Sequence, residues 1–339
     1  MAYGEEGVSR LEMEANSFGK IASLGSATRL NFKEFCRTTP VEAASPDAAS
    51  LIVVNASDTV ESVLNLMIKH NITSVPVVNA DGVLVDLVGF HDVAELVLKD
   101  LTFKNQGGER AETLRRRVLK AQAFARQSVS VVVRNAGHIP VHAIAANSML
   151  SECIYHFARG LHHCVIVDED RKPVGLVSQS SILRLATKVP NMFTAVYLAS
   201  AVAELNLGSP SVRTVPFDAT ARQAIEIMVS ERKSALAVVS QHNAVVGMIS
   251  LTDVKLFQHN PAENLLTMPV LQFCSAVRMA SVSDDRVPVI ALRDTATLQE
   301  VLLQITSSKI HRLFVVDENQ QACRIISLTD LIHHLSIEE

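Results

Sequence analysis

Among the five cysteines, Cys36, Cys153, Cys164, Cys274 and Cys323, there is no Cys-x-x-Cys pair and no metal-like spacing. An odd, scattered set argues against a disulfide framework and for a reducing compartment, the cytoplasm with the nucleus as a second location. Cys164 sits in an apolar run and reads as a small core residue. No apolar stretch is long enough to span a membrane. The best candidate, 189–202, is short of the roughly 20 residues required and is interrupted by Pro190 and Asn191. The opening MAYGEEGVSRLEMEANS lacks a basic region followed by an apolar one, which argues against a secretory signal. Glu5, Glu6, Glu12 and Glu14 argue against an organelle transit peptide. Positive charge is not in excess either. With 31 Lys and Arg against 35 Asp and Glu, the net charge is −4, so no nucleic-acid partner held by a basic surface is expected, and no membrane partner. A local basic pocket for a small anion is compatible with this balance. Also missing are a Gly-x-x-x-x-Gly-Lys phosphate loop, a metal cluster and a supported Ser/His/Asp or Cys/His set.

What the chain does contain is a repeat. The hydroxyl residues Thr59, Ser148, Thr220 and Thr297 are each followed by an apolar residue, and 14 positions on stand Thr73, His162, Ser234 and His311. Short apolar runs come next: VPVV at 75–78, CVIV at 164–167, LAVV at 236–239 and LFVV at 313–316. Gly175, Gly247 and Arg324 stand 27 positions from their origins, and Gly89 is taken as their counterpart in repeat 1, three residues late. On that alignment Asp92, Ser178, Ser250 and Ser327 correspond, as do Glu95, Ser181, Asp253 and Asp330. Self-similarity of this period marks a repeat architecture. The 339 residues, 48% hydrophobic and 19% charged, are enough for real cores.

The expected organisation is a mobile leader over 1–50, with a short helix near Asn31–Cys36, followed by two pairs of repeats. The first pair, 51–206, holds repeats at 51–100 and 138–187 with a basic helix at 107–130 between them. The second, 207–339, holds repeats at 212–258 and 288–337. A helix is expected at 190–206, Gly208-Ser-Pro marks the boundary between the pairs, and 261–287 reads as loop and short helix. Within a repeat the order is a short extended segment, a helix, two strands and a second helix. Thr297-Leu-Gln-Glu300 and Thr220-Ala-Arg-Gln223 are capping boxes, and Leu298, Val301, Leu302 and Ile305 share one helical face. Such a unit buries only one face of its sheet and needs a partner unit, which leads to two halves related by pseudo-twofold symmetry. The fold class is α/β (α+β).

This pattern resembles the cystathionine-β-synthase (CBS) domain. Four copies, paired as two Bateman modules, look like the γ regulatory subunit of AMP-activated and sucrose-non-fermenting protein kinases. The likeness covers 51–337 and is strongest in IHRLFVVDENQQACRIISLTDLIHHL. It implies a non-catalytic subunit that binds AMP, ADP or ATP between repeats as a regulatory ligand, requires no cofactor, and joins a kinase catalytic subunit and a β-type scaffold subunit. The alternative is a stand-alone CBS scaffold or adenosyl-ligand sensor outside any kinase trimer. No segment outside the repeats reaches the roughly 100 residues of a catalytic domain, so an enzyme is not expected.

The resemblance places a ribose-gripping carboxylate at Asp330 and Asp253, and a phosphate-binding His-Arg at His311 and Arg312. It puts His162 and His163 at the same place in repeat 2, where imidazole makes the charge pH-dependent. A carboxylate accepts two bonds from a cis-diol, helix N-termini supply unpaired N–H groups, and arginine presents a planar fork to phosphate. Each residue also has a plain reading. Asp330 and Asp253 suit a helix start, Thr220 and Thr297 suit N-caps as do Ser148 and Thr59, and Ser250, Thr252, Ser327 and Thr329 fit either role. Repeat 2 lacks the acid at Ser181. Repeat 1 carries Glu95 at the acid place, Asp92 where a hydroxyl belongs and Thr73 where a base would help. It is expected to bind nucleotide poorly or not at all.

Overall fold

The computed structural model of the chain describes residues 27–28, 30–45, 50–70, 72–90, 92, 126–134, 140–253, 262–280 and 291–336. The four apolar runs form the middle strands of four three-stranded sheets. The strands are β1 (Val54–Asn55), β2 (Ser74–Val78) and β3 (Leu84–Gly89) in repeat 1, and β4 (Ala143–Ala145), β5 (His163–Val167) and β6 (Pro173–Ser178) in repeat 2. Repeat 3 has β7 (Thr214–Pro216), β8 (Ala235–Val239) and β9 (Val245–Ser250), and repeat 4 has β10 (Ala291–Arg293), β11 (Arg312–Val316) and β12 (Ala322–Ser327). In every sheet the first pair is parallel and the second antiparallel. A parallel pair needs a crossover. Helices Val60–Lys69, Leu150–Phe157, Ala221–Ser230 and Leu298–Ser307 supply it.

Strand register corrects the alignment of repeat 1. Ser74 pairs with Gly89, His163 with Ser178, Ala235 with Ser250 and Arg312 with Ser327. Val77 pairs with Asp86 just as Ile166 pairs with Gly175, Val238 with Gly247 and Val315 with Arg324. The counterpart of those glycines is therefore Asp86, on the same 27-residue spacing, and Gly89 stands where the other repeats have serine.

The hairpin turns share one device. Asn79, Asp168, Ser240 and Asp317 each accept a backbone N–H two to four residues on, and the turn closes through a left-handed residue: Gly82, Arg171, Asn243 or Gln320, with φ between 60° and 78°. Two of these residues turn their carbonyls toward the tandem neighbour. Arg171 O accepts Leu84 N–H at 3.0 Å, and Gln320 O accepts Val245 N–H at 2.9 Å. Asp86 Oδ1 adds a bond from Val141 N–H at 2.9 Å. Repeat 1 is thus hydrogen-bonded to repeat 2, and repeat 3 to repeat 4.

The apolar cores run the other way. One core joins repeat 2 to repeat 4, from Ile144, Leu150 and Leu183 to Leu298, Leu331 and Leu335. The other joins repeat 1 to repeat 3, from Val60, Met67 and Val88 to Ile225, Leu236 and Phe273. The four inward residues expected in the first helix of repeat 4, Leu298, Val301, Leu302 and Ile305, are all buried.

A flanking segment braces each first helix by accepting its first N–H. Val60 N–H goes to Gln127 O, Leu150 to Thr39 O, Ala221 to Met268 O and Leu298 to Ser200 O. Thr39 belongs to the supposed mobile leader, and this corrects that expectation for the described part. Residues 30–38 are helical, and Phe32, Cys36, Val41 and Ala44 lie in the core of repeats 2 and 4, where their spacing puts four apolar side chains on one side. Repeat 2 also departs from the expected cap. Its helix begins after Met149, which makes no side-chain cap bond, and Ser148 is buried instead with its carbonyl accepting Val41 N–H.

Helix at 190–206 is limited to Ala195–Leu198, because Pro190 and left-handed Asn191 stand in the way. The segment 261–287 is more helical than expected, with Ala262–Thr267 and Val270–Ala280. Most of the proposed basic helix 107–130 lies outside the described residues, as does Glu95. Residues 126–134 carry a turn and helix Ser130–Val133.

At the boundary, Gly208 has φ +85°, and a Cβ there would lie 2.5 Å from Ile325 O. Ser209 and Ile325 exchange two backbone bonds of 2.9 Å, while Arg324 donates to Gly208 O at 3.0 Å. The left-handed positions give two expectations of opposite sign. Gly208→Ala should lose at least about 1–2 kcal/mol, since both the backbone angle and the neighbouring carbonyl oppose a side chain. Gln320→Gly should gain roughly 0.5–1 kcal/mol by relieving an unfavourable φ. Urea unfolding of both variants against the parent checks the pair.

Candidate ligand site

The residues ahead of and at the start of each middle strand converge where the repeats meet. Arg312 opens β11 and is half-buried. Its Nη1 donates to Ser234 Oγ at 2.6 Å, a bond from repeat 4 to the matching strand-proximal position of repeat 3. Burial pulls the guanidinium pKa down to about 10, while the carboxylates of Asp330 and then Asp253 act against that pull. Arg312 is therefore a cation at neutral pH, within electrostatic reach of two acids from two repeats.

Each acid sits one turn into its helix start for a local reason. Asp330 Oδ2 accepts Ser327 N–H at 2.8 Å and Ser327 Oγ–H at 2.5 Å. Asp253 Oδ2 accepts Ser250 N–H at 2.7 Å, and Ser250 and Thr252 share a hydroxyl–hydroxyl bond of 2.8 Å. Both carboxylates thus complete a cap, and the plain and functional readings coincide on the same atoms. In repeat 2, Ser181 Oγ takes Ser178 N–H at 3.0 Å in place of an acid. In repeat 1, Asp92 Oδ2 takes Gly89 N–H at 2.8 Å. Asp92 is therefore the counterpart of Asp253 and Asp330, not an intruding charge in a hydroxyl position. Without the three-residue offset of Gly89, Asp92 no longer stands where a hydroxyl belongs.

Repeats 2 and 4 bring a second set together. His163 is half-buried at the start of β5. Burial first, then the neighbouring His162 and His311, push its pKa down to about 3. His162 and His311 are exposed, one on each side of the interface. Thr329 Oγ1 accepts Gln179 Nε2–H at 2.9 Å across the same interface.

Two candidates have their hydroxyls engaged elsewhere. Thr220 Oγ1 accepts Gln223 N–H at 3.2 Å and donates to Gln223 Oε1 at 3.1 Å. Thr297 does the same with Glu300, at 3.3 and 3.1 Å. These are the capping boxes read from the sequence. Two residues were missed as site members, Ser234 and Gln179. Ser234 was visible at the strand-proximal place but carries no charge to draw notice. Gln179 shows only by comparison with Phe90, Leu251 and Leu328 at the same place in the other repeats. A cavity of about 170 Å³ lies away from this cluster, lined by Phe32, Cys36, Arg37, Ser151, Ile154 and their neighbours. Among the described residues no group of His, Cys, Asp and Glu is arranged to hold a metal ion, and no helix is long and apolar enough to cross a membrane.

Four stretches, residues 39–99, 133–188, 202–259 and 282–337, match the family model of the CBS domain. The chain belongs to the CBS-domain family. Its CBS repeats form two tandem pairs of the Bateman type, in a mixed α/β fold. The chain is 25% identical over 306 residues to Protein SDS23 of Candida albicans, covering 83% of this chain and 49% of that one. It is 31% identical over 185 residues to Protein sds23 of Neosartorya fischeri, covering 52% and 34%. It spans about half the length, or less, of these curated relatives. Among solved structures, Protein MJ1225 of Methanocaldococcus jannaschii, proposed as an archaeal homologue of γ-AMPK, superposes with a TM-score of 0.68 at 18% identity, over 88% of this chain and 100% of that one. A conserved protein of Pyrococcus horikoshii gives 0.50 at 18% identity over the same shares. At this identity the likeness is one of fold.

The neutral, crowded His163 of the second CBS repeat sets a pH dependence. Its folded pKa lies below the unfolded value of about 6.5, so the unfolded chain takes up the proton first. Its contribution is present above about pH 6.5 and is lost as the pH falls toward about 3, at up to about 1.4 kcal/mol per pH unit for one proton. Urea unfolding at pH 7.5, 6 and 5 should show that slope, and His163→Gln should flatten it.

Proposed function

We propose that this CBS protein is a non-catalytic regulatory subunit that binds an adenine nucleotide, AMP, ADP or ATP, between its third and fourth repeats and thereby modulates a protein kinase complex. The observation that carries the reading is Arg312. It is a charged guanidinium bonded to Ser234 of the neighbouring repeat and within electrostatic reach of Asp330 and Asp253. A carboxylate at a helix start suits the two hydroxyls of a ribose, and the guanidinium suits its phosphate. His311 supplies a further donor ahead of the same strand. Binding acts by favouring one arrangement of the repeats, and that arrangement alters a protein contact. Asp92, now in register with the other two acids, makes repeat 1 a further candidate rather than a degraded one.

A second reading is open beside it. The two relatives quoted carry the name SDS23, and the match covers 49% and 34% of them. A nucleotide-sensing CBS scaffold that works outside any kinase trimer fits that likeness equally. Co-purification of the tagged chain with a kinase catalytic subunit and a β-type subunit separates the two; absence of both from the complex supports the scaffold.

Calorimetry tests the site itself. Saturable AMP, ADP or ATP binding is expected, with Asp330→Ala weakening it roughly ten- to a hundredfold, the loss of about 1.5–3 kcal/mol of charge-assisted bonding. Equal affinity in parent and variant rules out Asp330 as the ribose acid.

A further inference from the structure

In repeats 2 and 4 the second helix, Gln179–Ala186 and Leu328–Ser336, begins just after the cap residue. At that first position three repeats bury an apolar side chain, Phe90, Leu251 and Leu328, and repeat 2 alone buries an amide, Gln179, at 3% exposure. Burying an amide in an apolar interface is unfavourable unless its bonds are made. Here the nitrogen is bonded, and one of its contacts leaves the repeat. Nε2 lies 3.1 Å from Phe157 O, 3.0 Å from Leu161 O and 2.9 Å from Thr329 Oγ1. Two carbonyls beside one end of the amide fix that end as the nitrogen, since a carbonyl accepts and cannot donate. The amide has two N–H groups for these three acceptors, so one is shared; because its nitrogen does not accept, Thr329 Oγ1 takes part only as an acceptor and its own proton is directed away from Gln179. Thr329 immediately precedes Asp330 at the start of helix Leu328–Ser336.

We infer that Gln179 is a positioning residue for the repeat 4 ligand site: it fixes the Thr329 hydroxyl so that its proton points to an anionic ligand group beside Asp330 and Arg312. The inference rests on the nucleotide reading above and deepens it. Gln179 touches no ligand. It acts through Thr329, and it ties the repeat 4 site to the loop after Phe157 and to His162, whose carbonyl accepts Gln179 N–H at 3.2 Å. Repeat 2 lacks an acid of its own at Ser181 but contributes in this way to the site of its core partner.

Gln179→Leu installs the residue that repeats 3 and 4 carry at this place, so the fold should tolerate it. Calorimetric titration with AMP is expected to show about three- to tenfold weaker binding, the loss of one oriented hydrogen bond, whatever change the loss of the Phe157 and Leu161 carbonyl contacts makes to the unfolding temperature. Gln179→Glu is expected to lose at least as much, because a carboxylate turns the Thr329 proton back on itself. Gln179→Asn, an amide too short to reach, serves as the second variant if the leucine disturbs folding. Thr329→Val should weaken binding to a similar degree, and Gln179→Leu combined with Thr329→Val should be no weaker than Thr329→Val alone. A purely structural amide would move the unfolding temperature and leave affinity unchanged, and that result overturns the inference while the nucleotide reading stands. Additive losses in the double variant overturn it as well. No AMP binding by the unaltered chain overturns both.

Discussion

The constraint on which the rest depends is that a single repeat cannot cover its own apolar helices. A three-stranded sheet with one helix before it and one after leaves the outer helical faces bare, and a unit of some fifty residues is too small to close over them. The chain resolves this by crossing its halves. Repeat 1 buries its helices against repeat 3, and repeat 2 against repeat 4. Tandem neighbours, which sequence order makes the natural pairs, meet instead through turns and polar side chains: Leu84 with Arg171, Val245 with Gln320, Arg312 with Ser234. Every repeat thus has one apolar partner and one hydrogen-bonded partner, and the polar residues at the strand starts are drawn to the middle.

Much of this was legible in the sequence, because the signals were local. A short continuous apolar run closed by a turn gives a strand and its hairpin. A Thr-x-x-Glu or Thr-x-x-Gln box fixes where a helix starts to the residue, as it does at Thr297 and Thr220. The acids Asp253 and Asp330 and the cation Arg312 were named from the resemblance, and both carboxylates act electrostatically on the guanidinium. What was misread involved packing between distant segments. The leader looked polar on average, yet Phe32, Cys36 and Val41 are enough to seat it, and nothing local announces the surface that receives them. The helix of repeat 2 starts one residue late, and Ser148, in place of capping it, accepts Val41 N–H from more than a hundred positions away.

Repeat 1 shows a different failure. Gly89 was matched to Gly175 and Gly247 because glycine is a conspicuous letter, and the match forced a three-residue shift. The strand ladder places Asp86 there instead. Glycine at 175 answers a close approach, since a Cβ would lie 2.6 Å from Ser45 Oγ, whereas Asp86 uses its carboxylate to take Val141 N–H. Two chemically unrelated residues satisfy one position because its neighbours differ from repeat to repeat. Identity of residue type is therefore a weaker guide than constancy of spacing, and the constant spacing of 27 had already pointed to Asp86.

The division of contacts bears on how a ligand could be sensed. Apolar cores are close-packed and resist small displacements, so the joints between repeats 1 and 3 and between 2 and 4 are stiff. The tandem seams rest on a few directional bonds, and in the seam of repeats 3 and 4 one of these is Arg312 to Ser234. An anion that recruits the guanidinium competes with that bond directly, and one that also uses Thr329 pulls on Gln179 inside the stiff joint. A ligand there exchanges bonds at the softer seam while the cores keep the repeats in register, so its effect is a change of seam geometry rather than of fold. Because two carboxylates already act on Arg312, a phosphate bound as proposed would have to offer it more than those acids do, which favours a ligand whose hydroxyls engage the acids at the same time. Ribose and phosphate carried on one molecule meet both conditions, and free phosphate meets only one.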